Sequence, residues 1–449
     1  MTSLASLPRF SSSFVVAGAA ITLAALAGCS SSAASDGASA SFAGPSGYSG
    51  GTPSPDTPST GSSSGSSGSG SSSGSGSSQG GAQTAGQLTA GAWDDNTNYV
   101  RYSGYVAEKA TENLAGRPPV DTTQRLEIAV HDATGHGVAG ADVKVTSDGA
   151  TVFETTTGGD GLAQFFPGMA GVSQGGAVSI TASIDGASIS TGAHLGDTDA
   201  QLTLGASSLP TALDVAIMID TTGSMGDEIS YLQSEVDAIA ASVTTAFPSL
   251  TARWGLLDYK DTVDPYVVHR FDFADLASFH ANFDTLSASG GGDYPESPEK
   301  AMAQAPTLSW RGGATARVMF WIADAPHHVG DERTYVQAFA DLRRLGVHVY
   351  PISASGTDDL LEYTMRMSAE VTGGRYLFLT NDSGIGDPHK VPEIPCYFVT
   401  HLESAMERVL RLELAGSYAA PDPTSILRAV GAPASGVCSL SDGTRATAF

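Results

Sequence analysis

The chain has 449 residues, 41% of them hydrophobic, and sets 47 acidic against 22 basic side chains for a formal net charge of −25. That length accommodates two or three domains of roughly 100–200 residues, with apolar content enough for substantial cores. So acidic a surface repels another polyanion, which excludes nucleic acid as a partner and leaves cations, basic surfaces or plain solubility as what the charge serves.

At the N-terminus, Arg9 precedes an apolar run from Phe14 to Leu26. This has the form of a secretory signal over residues 1–28 and is too short to span a bilayer. Its last residues, Leu26-Ala27-Gly28-Cys29, resemble the lipobox of bacterial lipoproteins. The resemblance implies that Cys29 is diacylated and holds the mature chain to the membrane of a bacterial cell envelope. Ser30 resembles the residue that follows in lipoproteins sent to an outer membrane, where the cell has two. An ordinary cleaved signal that ends in cysteine is the alternative. With Cys29 lipidated, Cys396 and Cys438 are left in a compartment where disulfides persist, so they are expected to pair and tie a tail at 417–449 back to the main domain.

Residues 29–92 are rich in Ser and Gly and nearly free of charge. Such a composition cannot offset the entropy of ordering, and the segment is expected to be a disordered tether with a reach of ~40 Å.

Residues 93–208 read as all-β. Leu126, Ile128 and Val130 alternate with polar residues, as do Ala141, Val143 and Val145, and then Val178, Ile180, Ala182 and Ile184 up to the turn Asp185-Gly186, with Ile189 beyond it. Short strands with these turn signals suggest a β-sandwich. Val138–Val143 together with Thr157–Gly161 resemble immunoglobulin-like or carboxypeptidase-regulatory-like bacterial modules, which implies a spacer. Carbohydrate or peptide binding is the alternative.

Residues 209–416 change pattern. The run Leu213–Ile219 ends in Asp220, and Ile229, Leu232, Val236, Ile239 and Val243 follow at helical spacing. A buried parallel strand therefore passes through a short loop into an amphipathic helix. Further strands are expected near 252–257, 318–323, 347–352 and 376–379, with helices at 335–345 and 358–368 and a closing helix through Leu402, Ala405, Val409 and Leu412. The fold class expected is α/β: a doubly wound, mostly parallel sheet with its site at the carboxyl edge.

Three loops at that edge carry oxygen donors: Asp220, Thr222 and Ser224 in the first, Asp293 and Glu296 in the second, Asp324 in the third. Hard cations take such donors, and Mg²⁺ in particular keeps water or an outside ligand among its six oxygens. Asp220-x-Thr222-x-Ser224 resembles the Asp-x-Ser-x-Ser signature of the metal-ion-dependent adhesion site of von Willebrand factor A domains. Gly290-Gly291-Gly292-Asp293-Tyr294-Pro295-Glu296 resembles the second loop of members related to hemicentins, alpha-kinase-associated A domains and integrin β subunits. The resemblance implies a divalent cation, Mg²⁺ first with Ca²⁺ or Mn²⁺ as alternatives, held by Asp220, Thr222, Ser224, Glu296 and Asp324. It further implies a protein partner that offers a carboxylate, and no enzymatic turnover. The chain departs from the commoner form in offering no second-loop threonine, so Glu296 is assigned through the integrin-like subgroup.

Asp227, Glu228 and Asp293 stand where integrin-like domains hold adjacent metal ions. Acidic residues in the first turn of a helix are also what the helix dipole favours. His327 and His328 read as a solvated loop pair rather than zinc ligands. The glycine run is not followed by the Lys-Ser/Thr of a phosphate-binding loop, so no nucleotide is expected. Two rival readings stay open: a structural or regulatory envelope component whose metal only stabilises loops, and a haloacid-dehalogenase-like phosphohydrolase with Asp220 as nucleophile. The latter lacks a second Asp at Thr222, and Lys300 is its one candidate lysine.

Overall fold

The computed structural model describes residues 85–172, 175–205, 209–292 and 294–449. The signal, Cys29 and most of the tether lie outside these residues, as does Asp293. No helix among the described residues is long and apolar enough to cross a membrane.

The chain enters through β1 (Thr89–Trp93), then α1 (Tyr99–Thr111). Seven strands follow: β2 (Leu126–His131), β3 (Asp142–Ser147), β4 (Ala150–Thr156), β5 (Leu162–Phe165), β6 (Ala177–Ile184), β7 (Ala187–His194) and β8 (Asp199–Thr203). They form a three-stranded sheet, β5-β2-β8, and a four-stranded sheet, β4-β3-β6-β7. The inward alternating residues of both, among them Ile128, Val130, Val143, Val145 and Ile180, share one apolar cluster.

Then come β9 (Ala212–Asp220), α2 (Ile229–Ala246), β10 (Thr251–Tyr259), β11 (Val268–Ala274), α3 (Leu276–Phe283), α4 (Pro298–Gln304), β12 (Thr315–Ala323), α5 (Arg333–Arg344), β13 (His348–Ser353), α6 (Asp359–Thr372), β14 (Tyr376–Leu379), β15 (Tyr397–His401) and α7 (Leu402–Ala415). Three short strands, β16 (Arg428–Val430), β17 (Val437–Ser439) and β18 (Arg445–Thr447), complete the chain.

The large sheet has nine strands in the order β11-β10-β9-β12-β13-β14-β1-β15-β16. The run β10-β9-β12-β13-β14 is parallel. The pairings of β11, β1, β15 and β16 are antiparallel, so the sheet is mixed rather than mostly parallel. Both faces are covered, which is why β9 reads as an unbroken apolar run. Leu213, Val215, Ile217 and Ile219 pack toward α2 and α7, and Ala216 and Met218 toward α4, α5 and α6.

Two sequence expectations are corrected here. Residues 93–208 are not all-β, since α1 packs Tyr102 and Tyr105 against the large sheet. The tether does not extend to residue 92, since Thr89–Trp93 is a strand between β14 and β15. Leu88, Ala90 and Ala92 are buried, and Glu235 Oε1 accepts the backbone N–H groups of Gly86, Gln87 and Leu88. The two smaller sheets are therefore inserted between α1 and β9 of the α/β unit.

The tail is fastened by the Cys396–Cys438 disulfide, as expected. The Asn98 side chain also pairs with the backbone of Thr447 in both directions, at 3.0 and 2.9 Å.

Gly91 is the tightest point of β1: a Cβ there would stand 2.3 Å from the Phe378 ring and 2.9 Å from that of Tyr397. Gly91→Val is expected to destabilise the chain by about 1–3 kcal/mol through overpacking, read as a lower urea midpoint with an unchanged slope. An unchanged midpoint would show that β1 is not integral to the sheet.

Candidate metal centre

Asp220 is the last residue of β9, and β9 lies between β10 and β12, with Asp220 opposite Tyr259 and Ile219 opposite Ile322. The chain leaves β9 to one side by way of α2 and returns on the other as β12. The crevice beyond the strand's carboxyl end is thus a topological switch point, where open α/β sheets bind ligands.

Asp220 is fully buried, and its Oδ1 accepts the N–H of Thr222 at 2.9 Å and the Thr222 hydroxyl at 2.7 Å. The Thr222 and Ser224 hydroxyls are 3.4 Å apart. Ser224 is exposed, so the crevice opens to solvent on its side.

The second loop approaches closely because it is glycine. Gly290, Gly291 and Gly292 all have positive φ, and a Cβ on Gly291 would stand 2.6 Å from Glu296 Oε1 and 3.3 Å from Thr222 Cβ. The Gly291 N–H donates to Asp264 Oδ2 at 2.8 Å, and the Gly223 N–H to Gly290 O at 3.2 Å. The Glu296 N–H donates to Pro326 O, which ties this loop to the third, where Asp324 is 2% exposed. The structure thus brings Asp220, Thr222, Ser224, Glu296 and Asp324 to one crevice.

Each of the three carboxylates keeps a buried oxygen without a hydrogen-bond partner: Asp220 Oδ2, Glu296 Oε2 and Asp324 Oδ1. Burial raises Asp220 above the ordinary carboxylate range, and it raises Asp324, with the charge of Asp220 adding to the effect. Glu296 is pushed up to about 8, first by burial and then by the charges of Asp220, Asp261 and Asp324. Buried like charges with unfilled lone pairs are what a hard cation would relieve, so the donors fit an Mg²⁺- or Ca²⁺-like ion. Among the described residues no three His, Cys, Asp or Glu side chains form a cage by themselves. Any such ion would need further oxygens, and the Thr222 and Ser224 hydroxyls are donors in the same crevice.

The flanking acids are engaged otherwise. Asp227 Oδ2 accepts the Asp387 N–H at 2.8 Å. Glu228 Oε1 accepts the Ser355 N–H at 3.1 Å and lies 3.0 Å from His389 Nε2, while its Oε2 has no partner. His327 is buried, with Nε2 2.8 Å from Gly116 O, so it is not the solvated residue expected. His328 Nε2 lies 2.7 Å from Asp261 Oδ1, which also accepts from Ser297.

The loop after β10 is what sequence reasoning missed. Lys260 is 4% exposed, and its ammonium donates to Thr221 O and Ser289 O, joining the first two loops. Asp261 and Asp264 hold the second and third loops. The signal was present, since Lys260-Asp261 directly follows a strand at the same sheet edge. Lys300 pairs instead with Glu299 and Asp331, at 3.2 and 3.5 Å.

Residues 214–368 match the family model described as the von Willebrand factor A domain. The chain contains a von Willebrand factor A domain. An ariadne-like RING finger protein of Acanthamoeba polyphaga mimivirus is 26% identical over 191 residues, 37% of this chain and 18% of that protein. The alpha-protein kinase vwkA of Dictyostelium discoideum is 29% identical over 118 residues, 26% of this chain and 19% of the kinase. The chain thus spans under a fifth of the length of either relative. Among solved structures, the conserved hypothetical protein BatB from Bacteroides thetaiotaomicron is similar with a TM-score of 0.29 and 16% identity, over 38% of this chain and 93% of that one.

The raised carboxylates of the A domain set a pH dependence. A group whose folded pKa exceeds its unfolded value makes the folded state take up more protons, so stability is lost as pH rises through that interval. For Glu296 the interval runs from 4.5 to about 8. In chelator, the melting temperature is expected to fall across it, and Glu296→Gln should flatten much of the slope. A metal-free melting temperature that rises over the same interval would refute this electrostatic picture.

Proposed function

We propose that this protein is a non-enzymatic binding protein of the bacterial cell envelope. In this reading its A domain uses a divalent cation to engage a carboxylate on a protein partner. The observation that supports it most is the set of three buried carboxylates, each with an unpartnered oxygen, beside two hydroxyls at the switch point of the sheet. A domains are typically interaction modules rather than enzymes, which agrees with this reading.

In it, Thr222 and Ser224 give hydroxyl oxygens and Asp220, Glu296 and Asp324 give charge, directly or through water. The bound ion, Mg²⁺ first and Ca²⁺ or Mn²⁺ as alternatives, supplies positive charge and a coordination position open to an outside oxygen. The Thr222 hydroxyl is oriented by Asp220, Gly291 lets Glu296 close over the loop, and Lys260 holds the backbone of both loops without touching the ion. Exposure of Ser224 gives the partner its approach. Cys29 would carry the lipid anchor, residues beyond it the tether, and the two inserted sheets would act as a sandwich spacer. The phosphohydrolase reading finds no support in Lys300, which is paired elsewhere.

The near-complete burial of Asp220, Glu296 and Asp324 favours a second reading, in which the ion only stabilises the loops. Calorimetric titration of Mg²⁺, Ca²⁺ and Mn²⁺ into the wild-type chain, Asp220→Ala and Glu296→Ala separates these possibilities once the variants are shown to fold. Each substitution is expected to weaken the preferred ion at least ~10-fold. Saturating metal at a hundred times Kd should stabilise the wild type by about 2.7 kcal/mol. No ion binding to folded wild type overturns the site. Binding that raises the melting temperature, with capture of envelope proteins unchanged by chelator, leaves the stabilising role alone.

Alanine at Gly291 is a sharper test of geometry than removing a ligand. Gly291→Ala keeps every donor but drives a methyl group into Glu296 at a positive φ, so metal affinity should fall while the far side of the sheet is unaffected. Retained wild-type affinity would remove Glu296 from the site.

A further inference from the structure

Arg343, on α5, faces the inserted sheets and is out of place in a chain with so few cations. It is 7% exposed and makes no ion pair with a described carboxylate. Its guanidinium donates to Gln164 O at 2.8 Å and toward the Met169 sulfur at 3.2 Å, and lies over the rings of Phe153 and Phe166 at 4.6 and 5.4 Å. Of the other deeply buried arginines, Arg408 likewise has no carboxylate and meets the Tyr418 hydroxyl at 3.5 Å, while the rest differ. Arg366 and Arg375 have Asp95 and Asp94, and Arg317 feels Asp214 and Asp142. For Arg343 burial is the sole influence, and it lowers the guanidinium to about 9.

A staple between α5 and the inserted sheets does not require a charge. The Arg343 carbonyl already accepts from Thr155 at 2.7 Å, and a neutral side chain could reach Gln164. A buried charge without a counter-charge costs several kcal/mol, which an anionic ligand would offset. Beside this guanidinium is a cavity of about 250 Å³ lined by Phe153, Phe165, Phe166, Met169 and Ala340, with Arg344 and Glu154 also in its wall, the latter paired with Lys144 at 2.6 Å. Aromatic and apolar walls with a few charged groups set among them are the usual composition of a small-molecule pocket.

The geometry points to a second binding site at this junction, for a small apolar carboxylate whose anionic end pairs with Arg343 and whose body fills the aromatic cavity. Such a group could be a free acid or the terminal residue of a peptide. The site is separate from the metal crevice, and its test is run in chelator so that no ion there can capture the probe.

The probes are 3-phenylpropionate, its neutral counterpart 3-phenylpropanol, and an acetylated tripeptide ending in phenylalanine, titrated into the full chain and followed by ligand-observed NMR. Saturable binding of the carboxylate is expected, with the alcohol at least ~10-fold weaker, as loss of a charged hydrogen bond implies. Binding of the tripeptide as well identifies a peptide terminus as the source, and binding of the free acid alone a small metabolite. Arg343→Met should weaken the acid by a similar factor. Because that change also touches the Gln164 contact, Ala340→Trp serves as the second variant: it fills the cavity from an exposed helix position and should abolish binding with the melting temperature kept. No saturable binding, equal binding of the alcohol, or full binding by folded Ala340→Trp would each overturn the proposal.

Discussion

Asp220, Glu296 and Asp324 each carry a buried carboxylate oxygen with no partner, and taking such groups out of water uncompensated costs several kcal/mol. The surrounding structure limits that cost in two ways. It lends fixed donors, such as the Thr222 N–H and hydroxyl on Asp220, and it lets the carboxyls hold protons above the usual range. Neither fills the remaining lone pairs. The crevice therefore favours any ligand that brings positive charge, while the loops that form it are held by Lys260 on two carbonyls, Asp264 on Gly291, and Asp261 on Ser297 and His328.

Holding the loops in place requires a rigid sheet beneath them, and here the insertion of β1 matters. Without it β14 and β15 would have no common neighbour, and the antiparallel half of the sheet would part from the parallel half. Buried charge pairs secure the segment that follows β1. Arg366 makes a two-pronged pair with Asp95, and Arg375 joins Asp94 to Asp160 of the inserted sheets. Glu413 accepts from Tyr350, contacts His348 at 2.6 Å and receives the Gly159 N–H. Removing one member of such a pair strands its partner, so these contacts specify one docking of the insertion more than they add net stability.

The parallel half of the sheet was legible because its strands are buried on both faces, and burial on both faces is what writes an unbroken apolar run such as Leu213–Ile219 into a sequence. β1 was not, because Thr-Ala-Gly-Ala-Trp is short and has a glycine at its centre; the Phe378 and Tyr397 rings against Gly91 account for that residue. α1 escaped notice because its Tyr and Val residues favour strands, and tertiary packing of Tyr102 and Tyr105 overrides that preference. In the crevice, the acids at strand ends were readable from their position after apolar runs. Lys260 and Asp261 were passed over because the strand before them was expected to end at Leu257, two residues early, which hid a fourth loop at the same edge.

The charge of the whole chain bears on what the proposed metal crevice could select. With a net charge of −25 and a screening length of about 8 Å at physiological salt, an approaching carboxylate is repelled until it is close to the ion. A partner would pass that barrier best by presenting its acid among basic neighbours, so that the peripheral charges attract while the acid meets the metal. Peripheral attraction of this kind governs the rate of encounter and weakens with salt, whereas the metal–carboxylate contact governs how long the complex lasts. On the proposed reading the acidic surface and the cation are therefore complementary filters: the first rejects acidic proteins in general, and the second accepts the one acid that arrives in a basic setting.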